Sequence, residues 1–171
     1  MSYFSSQNIR LRALESDDLE LLFTIENDET YWILSNTIQP FSRDTLKKYL
    51  KNAHLDIYTA RQLRLVIEHK EKSVGLIDLF DYEPFHKRLG IGILIQSKFQ
   101  NNGYAGEALE LIKKYCFEYL NVHQLYAHIE TDNINSLKLF KNNGFEITGT
   151  KKDWLRISKK YKDVHFLQCL K

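Results

Sequence analysis

The sequence predicts a mixed α/β (α+β) domain with a largely antiparallel central sheet flanked by helices. Three observations predict it. Short apolar runs rich in β-branched residues cluster mid-chain at 63–68, 74–81 and 88–95, and the first two are joined by the polar turn His69 to Ser73, a hairpin signal. Segments of helical period lie before this cluster and directly after it, around Ala105, Ala108, Leu109, Ile112, Cys116 and Tyr119. No linker, repeat or low-complexity stretch interrupts the order β-α-α-β-β-β-α-β-α-β-β, so residues 1–171 read as one domain.

Each element has its own signal. Ile9, Leu11 and Ala13 alternate with Arg10, Arg12 and Leu14 in a first strand, and Ser16 suits the N-cap of a helix carrying Leu19, Leu22, Phe23 and Ile25. Asn27 to Phe41 reads as irregular and aromatic, with Tyr31, Trp32 and Pro40. A second helix follows Ser42, with Leu46, Tyr49, Leu50 and Ala53 on one face. After the three strands and the helix that starts past Gly103 come a strand over 125–131, a short helix over 136–142, a strand from Phe145 and a last strand over 164–170. The run Lys159-Lys160-Tyr161-Lys162 reads as a solvated hairpin turn.

Composition narrows the function classes. With 43% hydrophobic and 27% charged residues the chain is globular, and a net charge of +2 argues for neither a nucleic-acid nor a membrane partner. Cys116 and Cys169 fall among apolar residues and read as buried free thiols of a reducing cytoplasm. The start of the chain lacks the apolar run of a signal peptide, which again predicts a cytoplasmic protein. The six histidines show no metal-ligand spacing, so no metal site is expected.

The segment Gln100-Asn101-Asn102-Gly103-Tyr104-Ala105-Gly106 joins the apolar strand 90–95 to a helix. A strand, a glycine turn and a helix N-terminus gather free backbone N–H groups and a positive dipole end, which is a cradle for phosphate or pyrophosphate. It lacks the Lys-Ser/Thr ending of a P-loop and the three-glycine dinucleotide fingerprint. Taken alone, the same glycine equally suits a plain turn into a helix.

Further along, Asn133-Ile134-Asn135-Ser136 is followed by Leu139-Phe140-Lys141-Asn142-Asn143-Gly144-Phe145. With the Gln100-x-x-Gly103-x-Ala105 loop, this constellation resembles the GNAT superfamily of N-acetyltransferases over nearly the whole chain. The layout is similar to its spermidine and ribosomal-protein acetyltransferase branch. The Tyr31-Trp32 pair and His86-Lys87-Arg88 tilt toward the spermidine side.

The resemblance implies acetyl-CoA as co-substrate. The backbone of Ile93, Leu94 and Ile95 would pair with the pantetheine arm as an added strand. The N–H groups from Asn102 to Gly106 and the Gln100 side chain would hold the pyrophosphate, and Asn133, Ser136 and Lys141 lie where the family makes further coenzyme contacts. Asn133 also suits a helix cap, and Lys141 a solvated lysine. Phe140 stands where many members carry the tyrosine that protonates the leaving thiolate. A thiol has a pKa of about 8.5 and leaves tolerably unaided, so Phe140 weakens the acid assignment more than the acetyltransferase reading. Tyr104, Tyr126, Tyr82 or water remain as substitutes.

For the proton acceptor the sequence offers Asp78, where spermidine-type relatives carry an acidic residue, with Glu83 in reserve. The apolar neighbours Leu76, Ile77, Leu79 and Phe80 would raise the Asp78 pKa; an ordinary strand aspartate is the other reading. Glu26, Asp28 and Glu29 beside Tyr31 and Trp32 suit a grip on a polycation. The expected function is acetylation of a primary amine such as a polyamine. The competing readings are a protein N-terminus as acceptor, or a catalytically weak coenzyme-binding module. A homo-oligomer is compatible with any of these.

Overall fold

Alternating apolar side chains assemble a sheet that is antiparallel in its first half. The computed structural model describes residues 2–171. Strands β1 (Arg10–Ala13), β2 (Leu63–His69), β3 (Lys72–Glu83) and β4 (Arg88–Ile95) pair in chain order, and β5 (Gln124–Glu130), β6 (Glu146–Ile157) and β7 (Lys160–Leu170) complete the order β1-β2-β3-β4-β5-β7-β6. Only β4 and β5 are parallel neighbours.

Strand alternation divides the core between two faces. Ile67, Ile77, Leu79 and Leu125 pack with Ala108, Leu109 and Ile112 of α5 (Tyr104–Lys114) and Phe140 of α6 (Ile134–Asn142). On the other face Val66 and Leu76 meet Leu22 and Ile25 of α1 (Leu19–Glu26) and Leu46 of α3 (Arg43–Asn52). Both expected thiols, Cys116 and Cys169, are buried and free, and burial pushes each pKa up. No helix among the described residues is long and apolar enough to cross a membrane, and no cluster of metal-ligating side chains occurs among them.

Several expectations are corrected. The stretch read as irregular contains helix α2 (Glu29–Ser35), capped by Asp28 and ended by Asn36 in the left-handed region; it buries no side chain, so it lacks an apolar stripe to read. One turn, α4 (Ile57–Ala60), was unexpected and is capped by Asp56. Ser16 is no cap: it opens a 3-10 turn, Ser16–Asp18, that leads into α1, whose N-cap position is Asp18; the Glu15 backbone N–H donates to Asp18, whose carboxylate takes two bonds from Arg12. Tyr119 is exposed because residues Tyr115–Tyr119 form a π-helical turn, whose extra residue rotates it off the apolar face. The basic run is mostly strand, with Lys162 bonded to Glu130 and Asp132.

Candidate active site

Strands β4 and β5 run together for only three residue pairs, ending at Gly90–Tyr126. Beyond them β4 stays with β3 and β5 stays with β7, so the sheet forks. From Ile91 onward one edge of β4 has no strand partner, and such an edge accepts an extended, amide-bearing ligand. The fork begins where Phe80 lies flat over Gly90: a Cβ there would stand 2.2 Å from the ring.

At the far end of β4 the chain turns through Gly103, at φ +82, into α5. That φ favours glycine. No side chain caps this helix, and the Asn102 amide turns back to the carbonyls of Phe99 and Gln100. The first-turn N–H groups of Tyr104, Ala105 and Gly106 therefore face outward with the dipole's positive end. A Cβ built at Gly103 or Gly106 meets nothing within 4 Å, so this cradle is open. Open strand edge and uncapped helix end together fit the pantetheine and pyrophosphate of acetyl-CoA.

On the α1/α3 side the fork opens into a cleft of about 780 Å³. Four carboxylates line it, Glu26, Asp78, Asp81 and Glu130, against the cations Arg64 and Lys151. Arg64 lies between two of them: Nε donates to Asp78 Oδ1 at 2.5 Å, Nη2 to Oδ2 at 3.1 Å, and Nη1 to Glu26 Oε1 at 2.5 Å. Burial opposes this charge, yet Asp78, Tyr49 and Glu26 hold the guanidinium pKa well above its ordinary range. Burial raises the Tyr49 phenol beside them. Across the fork His128 sits within 3.4 Å of Lys151 Nζ, and burial followed by that ammonium pushes its pKa down.

The sequence-predicted residues divide between this cleft and other places. Asp78, Glu26, Ile93, Asn133, Ser136 and Phe140 line it. Asp78's apolar sequence neighbours do not surround its carboxylate; both its oxygens accept from Arg64. Glu83 does not line the cleft: it faces Arg61 at 3.7 Å near the β3–β4 turn. Asp28 and Glu29 serve the start of α2, Tyr31 bonds Ser97, and Trp32 donates to the Glu26 carbonyl, so none of these four lines it either.

The Gln100 amide turns to the Ile95 carbonyl rather than toward the cradle. Asn133 caps α6, accepting from Ser136 N at 3.2 Å, while Lys141 is exposed outside the cleft. Phe140 is buried edge-on against Phe145. Among the substitute acids, Tyr82 is buried against Tyr58, which pushes its pKa up to about 12, Tyr104 packs on His69, and Tyr126 stands at the fork. Sequence reasoning missed Arg64, Asp81 and His128. For Arg64 a signal existed: it interrupts an apolar strand, Leu63-Arg64-Leu65, at the alternate position.

A forked mixed sheet with an uncapped helix end on one side and an acidic cleft on the other suits an acyltransferase that moves an acyl group from a coenzyme thioester to an acceptor in the cleft. The family model for the acetyltransferase (GNAT) domain matches residues 8–146. The chain belongs to that family and is an acetyl-CoA-dependent N-acetyltransferase. It is 27% identical to spermidine N(1)-acetyltransferase of Vibrio cholerae, over 96% of this chain and 94% of that one. It is 26% identical to the enzyme of the same name from Escherichia coli K12, over 85% of this chain and 76% of that one. The crystal structure of the Vibrio cholerae spermidine N-acetyltransferase in complex with CoA and spermine superposes with a TM-score of 0.87, at 26% identity, covering 96% of each chain.

Proposed function

We propose that this enzyme acetylates a primary amine of a polyamine, with spermidine as the reference acceptor. One observation carries the proposal: four carboxylates against two cations line the cleft on the acceptor side of the fork. A surplus of negative charge in a confined, partly apolar site favours a ligand carrying more than one ammonium. The names of the Vibrio and Escherichia relatives support the same substrate class.

In this reading the chain's residues divide the work. The open edge of β4 and the start of α5 place acetyl-CoA, which supplies the activated acetyl group. A backbone N–H on that edge polarises the thioester carbonyl. Glu26 and Asp78, fixed by Arg64, set the negative potential at one end of the cleft and Glu130 at the other. Asn133 and Ser136, at the mouth of α6, border the coenzyme side.

The test is release of coenzyme thiol from acetyl-CoA with spermidine, spermine, n-butylamine and a short peptide bearing a free N-terminus. Spermidine or spermine should support turnover well above the other two. Turnover with the peptide alone would replace the polyamine by a protein N-terminus, and no turnover with any acceptor would contradict the enzymatic role.

A further inference from the structure

We propose that Asp81, counted above only among the carboxylates of the cleft, is the one that accepts the proton of the attacking amine. The inference rests on the amine-acetylating function just described.

Asp81 sits at a break in the β3–β4 ladder. The register passes from Phe80–Gly90 to Glu83–Arg88, so Asp81 and Tyr82 together oppose Leu89. This is a β-bulge, and it re-aims a side chain. In an unbroken strand Asp81 would point away from the face that Phe80 occupies. Instead Tyr82 takes the core position on the α5 side, and the Asp81 carboxylate acts on Tyr126 and His128 across the fork, beside Phe80. Asp81 pays for this with a left-handed backbone, φ +49, which a non-glycine residue adopts at a cost on the order of 1 kcal/mol.

The bulge lies beside the fork. Gly90, opposite Phe80, makes the last parallel pair with Tyr126, and the Phe80 and Tyr126 rings meet edge to face at 6.0 Å. An amine reaching a thioester carbonyl through the fork arrives over Phe80 and Gly92, next to Asp81. The surroundings are consistent with this place. The Asp81 carboxylate acts with burial to raise the Tyr126 phenol, and it pulls the His128 imidazole upward against burial and Lys151.

The other cleft carboxylates are engaged. Asp78 and Glu26 hold Arg64, and Glu130 holds Lys162 at 2.7 Å. Asp81 makes no ion pair among the described residues; its hydrogen-bonding neighbour is the neutral Tyr126 hydroxyl, so an incoming ammonium meets it without displacing a cation.

The proton balance is complete. The ammonium gives one proton to Asp81, and the freed nitrogen lone pair forms the C–N bond. The C–S bond breaks with its electron pair on sulfur, which takes the second nitrogen proton and departs as a thiol. Asp81 returns its proton to solvent, leaving the amide.

Asp81→Asn tests this with whichever acceptor the wild type uses. It should lose ~10²–10⁴-fold in kcat/KM, mostly in kcat, while keeping the thermal shift given by acetyl-CoA. The loss should shrink as pH approaches 10, where the amine is free without help. Asp81→Gly, which relieves the left-handed strain, should be equally impaired and secures a folded variant. A folded variant within a few fold of wild type, or a loss constant up to pH 10, overturns the assignment alone. A wild type that acetylates none of spermidine, spermine, n-butylamine and the peptide overturns the function and the assignment with it.

Discussion

The Arg64 guanidinium grips Asp78 by two parallel hydrogen bonds, Nε to Oδ1 at 2.5 Å and Nη2 to Oδ2 at 3.1 Å, while its third nitrogen holds Glu26 of α1. One cation from β2 thereby ties the helical layer to the strand that floors the acceptor cleft. Two carboxylates on one guanidinium leave the group with one negative charge in excess, and that charge is displayed to the cleft.

Arg64→Leu should therefore destabilise the fold by about 3 kcal/mol at pH 7, since it strands two part-buried carboxylates. For a chain of this size that is a Tm drop of roughly 6–12 °C. Calorimetry reads this, with the Glu26→Gln/Asp78→Asn background as control: there Arg64→Leu strands no carboxylate and the deficit should shrink, whereas an unchanged deficit would mean that packing of the Arg64 stem dominates.

Gly106→Asp separates helix stability from coenzyme binding. A carboxylate in the first turn of α5 interacts favourably with the dipole, so the free protein should gain up to ~1 kcal/mol. The same charge repels a pyrophosphate, so the acetyl-CoA stabilisation, about 2.7 kcal/mol at a hundredfold excess over Kd, should largely vanish. A variant that retains the full shift would place the phosphates elsewhere.

Phe140→Tyr should leave acetylation within a few fold of wild type. Phe140 is buried against Phe145 and lines the cleft, so the added hydroxyl either reaches the cleft or costs a small repacking penalty. Steady-state rates decide. A collapse of activity in a folded, acetyl-CoA-binding variant would show that the bare ring packs the site.

His128 gives a pH dependence. Burial and Lys151 lower its pKa beneath the usual histidine value of about 6.5, so it is neutral at pH 7 and gains charge only as pH falls through the lowered value. Tyr126, Glu130, Asp81 and Lys151 are the ionisable groups around it. Its protonation adds a cation to a cleft that receives ammonium groups, so kcat/KM should fall on that acid limb. His128→Gln should flatten the limb in the pH profile. An unchanged acid limb would remove His128 from the acceptor path.

Much of this architecture was legible in the sequence because burial leaves a period. Strand β4 was read at its observed bounds, since its β-branched run is flanked by polar turns. The coenzyme loop was legible because Gly103 stands between a strand and a helix whose apolar face is plain. Helix α2 was not, because it buries nothing and its aromatic residues mask the capping Asp28. The acceptor cleft was the least legible part. Its charged residues come from α1, β2, β3, β5 and β6, and they meet only because the sheet forks at Gly90–Tyr126. Asp81 faces that cleft only through a bulge, which shifts the strand register by one residue and defeats alternation.

The most direct measurement compares kcat/KM for spermidine with that for n-butylamine, which presents one primary amine and no second charge. Each tenfold preference corresponds to about 1.4 kcal/mol, so the two further ammonium groups of spermidine against the carboxylate surplus should favour it at least tenfold at low ionic strength. The preference should collapse toward unity near 1 M salt, where the screening length is about 3 Å. Equal kcat/KM for the two amines at low salt, or a preference that salt does not alter, would contradict a cleft built to receive a polycation.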